Sequence, residues 1–188
     1  MSILTRGNHD RISLHRLSAM LVALIVACPQ RSHAADTPVA SEPASNHDVA
    51  ARGPSLEAAL GAARVALDTC RAKGFAVSVS IIDAAGVSKV LLAGDGALLR
   101  GVRSSANKAL TALTFKDATS RLGVRSQNDK SLAEAIAADA NYTARAGGIL
   151  LTVNDEVIGA IGVGGARPSE VDELCALAAL DSVRKQSK

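Results

Sequence analysis

From residue 55 onward the apolar positions follow two alternating periods. In "SLEAALGAARVALDTCRAKG", Leu56, Leu60, Ala63, Leu67 and Cys70 recur every three or four residues, one face of a helix. Ser55 is placed to cap its start, Glu57 lies in the first turn and Gly74 ends it. "FAVSVSIID" switches to period two, with Phe75, Val77, Val79 and Ile81 on one face of a strand. "DAAG" turns the chain and "VSKVLLA" returns, which predicts an antiparallel hairpin. A helix is expected from about Leu98 to Phe115. Broken helix and loop follow in "KDATSRLGVRSQND", then a short helix in "SLAEAIAADA". "GGILLTVNDEVIGAIGVGG" reads as a second hairpin turning at Asn154-Asp155. Gly159, Gly162, Gly164 and Gly165 in its returning strand call for a bulge or a close approach by another element. The last helix, in "RPSEVDELCALAALDSVRK", has Ser169 at its cap and Asp172 three residues on. Val171, Leu174, Leu177 and Ala178 form its apolar side. The order α-β-β-α-α-β-β-α contains hairpins rather than βαβ crossovers. The fold class is therefore α/β in the α+β sense, a mostly antiparallel sheet covered by helices.

The middle helix poses a question. In "ANKALTALTF", Ala106, Ala109, Leu110 and Leu113 share the side that would face a core. Lys108, Thr111 and Phe115 share another, with Ser104 one turn earlier. A phenylalanine on a polar stripe is out of place in water. The stripe is either a solvated face or the lining of a pocket or subunit contact.

The first 54 residues have no such periodicity. Arg6, Arg11 and Arg16 precede a short apolar run from Leu17 to Ala27, and "SHA-AD" offers small residues for cleavage after Ala34. Residues 1–34 are expected to be a secretory signal, and the run is too short to span a bilayer. The product would be periplasmic or secreted. A lipoprotein cut at Cys28 is the less favoured alternative. Residues 35–54, rich in Ala, Pro, Ser and Asp, read as a flexible linker, leaving 55–188 as the domain. Four of the 21 basic and one of the 18 acidic residues fall in 1–34, so 17 of each remain. Such a neutral mature chain asks for no nucleic acid and no anionic membrane.

What the expected mature chain lacks narrows the chemistry further. Both methionines of the sequence, Met1 and Met20, and three of its histidines, His9, His15 and His33, lie before residue 35, leaving His47 alone. A Ser-His-Asp triad, a multi-histidine zinc site and His/Met haem ligation from within the domain are excluded. No pair of groups suited to general acid and base work is readable either, so turnover is not expected. Asp83 and Asp95 fit turn chemistry; Glu170, Asp172 and Glu173 fit a helix start. Cys70 and Cys175 either pair or pack as small buried hydrophobes. Tyr142 is the one strong oxygen donor besides the carboxylates.

Four blocks together carry a family likeness: "SIIDAAGVSKVLLAGDGA", "RSSANKALTALTF", "ARAGGILL" and "EVIGAIGVGGARPSEVDELCALAAL". In this order the chain resembles the haem-degrading GlcG–HbpS-like family, which is similar to the C-terminal domain of PduO-type proteins. The likeness runs from about Ser55 to Val183. It implies a central antiparallel sheet of about five strands flanked by helices, and a homo-oligomer built from dimers. It also implies a haem ligand, with a corrinoid as the alternative. By the same resemblance Thr111 is associated with the iron and the stripe with Lys108 and Phe115 faces the ligand; Arg103 and Lys108 are the cations suited to pair with haem propionates. Relatives often carry a proline after "AGG", where Ile149 and Leu150 stand here.

Three functions remain open on this reading. The first is an exported haem- or tetrapyrrole-binding accessory protein for uptake, storage or sensing. The second is a small hydroxy-acid-binding protein or enzyme of GlcG type, with Arg103 and Lys108 holding the carboxylate. The third is a structural oligomer without ligand, in which Phe115 anchors an interface.

Overall fold

A computed structural model describes residues 52–186; the expected signal, Cys28, His47 and most of the expected linker lie outside them. The elements are α1 (Leu56–Ala72), β1 (Ser78–Asp83), β2 (Ser88–Ala93), α2 (Leu99–Phe115), α3 (Thr119–Arg125), α4 (Lys130–Ala137), β3 (Gly148–Val153), β4 (Glu156–Gly164) and α5 (Glu170–Gln186). The strands form one antiparallel sheet in the order β2-β1-β4-β3. The sheet thus has four strands, against the five or so the resemblance implied.

Both turns form as their residues dictate. The Asp83 carboxylate accepts from the amides of Ala85 and Val87, an Asx turn that closes the first hairpin. Asn154 and Asp155 both take positive φ, the left-handed pair a two-residue hairpin requires. Arg52, from the end of the expected linker, pairs with Glu156 and accepts from the Ala84 amide, so this end of the segment is tied to the sheet.

Alternation along the strands separates the sheet's two faces. Val79, Ile81, Ile149, Leu151, Ile161 and Val163 point into the larger core, formed with α1 and α5. Ile82 and Ala160 point the other way, towards Ala109, Ala112 and Leu113 of α2. The core faces of α1 and α5 differ from those expected. α1 buries Ala59, Ala62, Ala63, Ala66 and Cys70, while Leu56 is 57% exposed; on α5, Leu174 and Leu177 are likewise exposed. The helices lie side by side, and alanine rather than leucine suits the resulting close contact. Cys70 and Cys175 meet there as a disulfide with Cα atoms 5.7 Å apart, which resolves the alternative left open by the sequence.

α2 lies against β4, and the glycines of that strand explain how. A Cβ at Gly162 would stand 2.0 Å from the Ser105 carbonyl oxygen and 2.6 Å from the Ala109 amide nitrogen. The close approach expected from "GAIGVGG" is this contact, backbone of helix on backbone of strand. α3 is a regular helix where broken structure was expected. Its Gly123 admits the Ala144 carbonyl at a distance no side chain would allow.

Candidate functional site

The polar stripe of α2 is not a solvated face. Lys108 is 1% exposed and Thr111 is fully buried. The stripe divides into two halves with different partners.

On one flank, α2 grips a segment of its own chain. Asn107 donates through Nδ2 to the Ala140 carbonyl at 3.1 Å. The Thr111 hydroxyl accepts from the Thr143 amide at 2.9 Å and donates to the Asn107 carbonyl at 2.7 Å. Phe115 meets Tyr142 edge-to-face with ring centroids 5.2 Å apart. Asn107, Thr111 and Phe115 follow one another at four-residue spacing, so one flank of the helix holds residues 140–143 in place. Phe115 is thus explained by an intramolecular partner.

On the other flank, Lys108 reaches past the end of the sheet. Its Nζ donates to the Asp172 carboxylate at 2.7 Å and to the Val163 carbonyl at 2.9 Å. The second Asp172 oxygen accepts from the Ala166 amide at 3.0 Å. This buried pair joins α2 to α5, helices on opposite faces of the sheet. Gly147, at φ +120°, lets the chain pass over it: a Cβ there would lie 2.9 Å from Lys108 Nζ and 2.8 Å from Asp172 Cβ. Burial pushes the Lys108 ammonium below the ordinary lysine range. The Asp172 carboxylate pulls it back part of the way, and the Arg145 guanidinium adds to the lowering.

A cavity of about 120 Å³ opens over this pair. Arg100, Ser104, Arg145 and Arg167 line it together with Lys108 and Asp172, and the backbone of Gly101, Gly165 and Ala166 completes it. Four cations thus face one carboxylate, and that carboxylate is already engaged by Lys108. Among the described residues no group of three His, Cys, Asp or Glu side chains is arranged to hold a metal, and no helix is long and apolar enough to cross a membrane.

Residues 55–181 match the family model described as "Haem degrading protein HbpS-like". The chain belongs to this HbpS-like family. Its α+β architecture is shared by the solved relatives. HbpS is 31% identical, with a TM-score of 0.65 over 75% of this chain and 97% of that one. A double mutant of HbpS from Streptomyces reticuli is 32% identical, with a TM-score of 0.64 over 79% and 97%. A Klebsiella pneumoniae protein, ORFY, is 28% identical, with a TM-score of 0.66 over 74% and 96%. PduOC, solved as a heme complex, is 27% identical, with a TM-score of 0.63 over 69% and 94%. Among curated proteins, none matches the sequence.

Within this HbpS-like domain the four residues singled out from sequence do not form one cluster. Lys108 lines the cavity; Thr111 and Phe115 hold residues 140–143; Arg103 is exposed and outside the cavity lining. Sequence reasoning missed Arg100, Arg145, Arg167 and the true task of Asp172. The arginines come from three segments far apart in the chain, and no local pattern marks them. Asp172 read as a helix-start carboxylate, whereas its oxygens are engaged by Lys108 and Ala166.

Proposed function

We propose that this chain is an exported haem-binding protein serving uptake, storage or sensing, which holds the tetrapyrrole against α2. The observation carrying the reading is family membership, together with a 27%-identical relative that forms a heme complex. None of these relatives is named for a corrinoid, so haem is the favoured ligand. When bound, haem supplies a redox-active iron and a visible absorption band.

The residues suit the carboxylate edge of haem better than its iron. Arg100, Arg145 and Arg167 offer guanidinium forks to propionates. Thr111 as iron ligand requires residues 140–143 to release its hydroxyl, which already makes two hydrogen bonds. Tyr142, half-buried against Phe115, offers an oxygen donor at less cost. Arg103 would act from the outer flank of the helix, towards a ligand or subunit lying over it. The cavity over Lys108 and two others among the described residues measure about 120, 220 and 360 Å³, and pockets that enclose drug-sized ligands run to roughly 300–1,000 Å³. The largest lies away from the stripe, between α3, β3 and α5. The macrocycle would therefore lie on an open face completed by a second copy of the chain. The exposed leucines of α1 and α5 support self-association. The leader residues and the Cys70–Cys175 disulfide support export to the periplasm or medium, with lipidation at Cys28 the alternative.

Titrating the purified protein with hemin tests this reading. A saturable Soret shift is expected at micromolar hemin. Loss of the shift in Thr111→Val assigns the iron to Thr111, and loss in Tyr142→Phe assigns it to Tyr142. A wild-type protein that leaves the hemin spectrum unchanged ends the proposal.

A further inference from the structure

We infer that the cavity over the Lys108–Asp172 pair is a binding site for a small, doubly charged oxyanion, a dicarboxylate or a phosphate. The same arginines are the ones offered to propionates in the haem reading, but the anion site itself needs no macrocycle and no iron, so it survives a failure of haem binding.

The charge arrangement has no structural use otherwise. Arg100, Arg145 and Arg167 form no ion pair with any carboxylate among the described residues. Three unpaired guanidinium groups around one concavity repel each other, and a bound anion removes that repulsion. Arginine forks donate in parallel pairs to carboxylate and phosphate oxygens, so the side-chain type fits the ligand class. Lys108 is among the lining residues and spends two of its three protons on Asp172 and Val163. Ser104 adds a hydroxyl. After Lys108 and Asp172 neutralise one another, three positive charges remain, which favours a dianion over a monoanion.

The floor of the site is rigid. Its ammonium is fixed by two acceptors, its carboxylate by an ammonium and a backbone amide, and its walls are backbone of α2 and of the chain leaving β4. A cavity of about 120 Å³ admits an anion of a few heavy atoms and excludes a porphyrin ring. The site is also placed at the start of α2, whose cap residue Leu98 offers no side-chain acceptor to the first turn. The helix dipole adds to the same field.

Calorimetric titration with inorganic phosphate and with succinate at low ionic strength tests the assignment, with glucose as a neutral control. One saturable site is expected for at least one anion and none for glucose, weakening as sodium chloride is raised. Arg100→Ala, Arg145→Ala and Arg167→Ala should each weaken binding by about tenfold, since a charge-assisted hydrogen bond is worth at least that factor. These side chains are exposed, so the variants should keep the wild-type circular dichroism. Ser104→Glu, which places a carboxylate in the cavity, should abolish binding. Competition identifies the source of the oxyanion: displacement of the bound anion by hemin but not by hemin dimethyl ester assigns the cavity to a propionate. No displacement by either assigns it to a free anion. The proposal is overturned if neither anion binds saturably, or if binding survives unchanged in the arginine variants.

Discussion

The two faces of the sheet are built to different rules. Under α1 and α5, branched aliphatic strand residues meet alanine and cysteine, and a disulfide locks the helices. Under α2 the strands present Ile82 and, around it, Ser80, Ala160, Gly162 and Gly164, small residues that bring a helix backbone onto the sheet. The first face is apolar but for Asp172 at the start of α5, and supplies stability by burial. The second buries Lys108, Thr111 and Thr119, each engaged by a specific partner. Chemistry is thus confined to one face and to the sheet end where α2 and α5 are joined. An inert, covalently fastened layer lets the other layer carry unusual groups.

Breaking the covalent fastening should have the largest effect. Cys70 and Cys175 are 105 residues apart, and a loop of that length is worth about 4–5 kcal/mol in the chain-entropy model. The Cys70→Ala, Cys175→Ala double variant should lose about that much in urea unfolding. Hydrogen exchange should show α1 and α5 opening before α2. Equal loss of protection on both faces would deny that they are separate.

Severing the junction comes next. Asp172→Ala leaves the Lys108 ammonium buried and uncompensated, a loss of about 3–5 kcal/mol. Replacing both partners, Lys108→Met with Asp172→Leu, should recover most of it, because the cost lies in the stranded charge and not in the missing pair. If the double replacement is as unstable as Asp172→Ala, the pair itself holds the two faces together.

How far these faces could be read beforehand differs as well. Element types, both turns and the close approach at the glycines follow from periodicity and turn chemistry, which are local properties. The leucines of α1 and α5 mislead because hydrophobicity alone ranks leucine above alanine. A helix packed on both a sheet and a neighbour buries its narrow side where the fit is tightest, and here alanine occupies it. α3 was obscured by Gly123, which serves contact with Ala144 rather than a break. The candidate site is less legible still. Lys108 and Thr111 stood out by their stripe, but Asp172 is 64 residues from Lys108 and the cavity arginines lie on three segments. Such groups are united only by tertiary structure. The family likeness pointed to α2 as the helix of interest, without distinguishing the residues that line a cavity from those that grip residues 140–143.

Gly162→Ala sharpens the comparison on the α2 side alone. The added methyl would contact the Ser105 carbonyl at 2.0 Å and must push the helix away from β4. A loss of about 3 kcal/mol is expected, at the upper end of overpacking costs. The displacement should also loosen the Lys108–Asp172 junction while leaving α1 and α5 protected from exchange. A variant of wild-type stability would mean that α2 can move off the sheet freely, and the rigid floor of the cavity would be lost with it.

The smallest expected effect is a slope in pH. Burial holds the Lys108 ammonium below its unfolded value of 10.5, outweighing the Asp172 carboxylate that favours the charged form. A cation with a depressed folded pKa binds fewer protons in the native state than in the unfolded state between those two values. Stability therefore rises with pH within the window that ends at 10.5. Below the folded pKa both states are protonated, and the burial cost is constant. Urea midpoints should drift upward from the Lys108 contribution as pH approaches 10.5 from below. Subtracting the same series measured on the Lys108→Met, Asp172→Leu variant isolates that contribution from the other lysines. No upward drift below 10.5, followed by a fall as pH rises beyond it, would mean that Asp172 dominates and holds Lys108 above its ordinary value. The pair would then act as a net attraction between the two faces rather than a buried cost tolerated for the cavity above it.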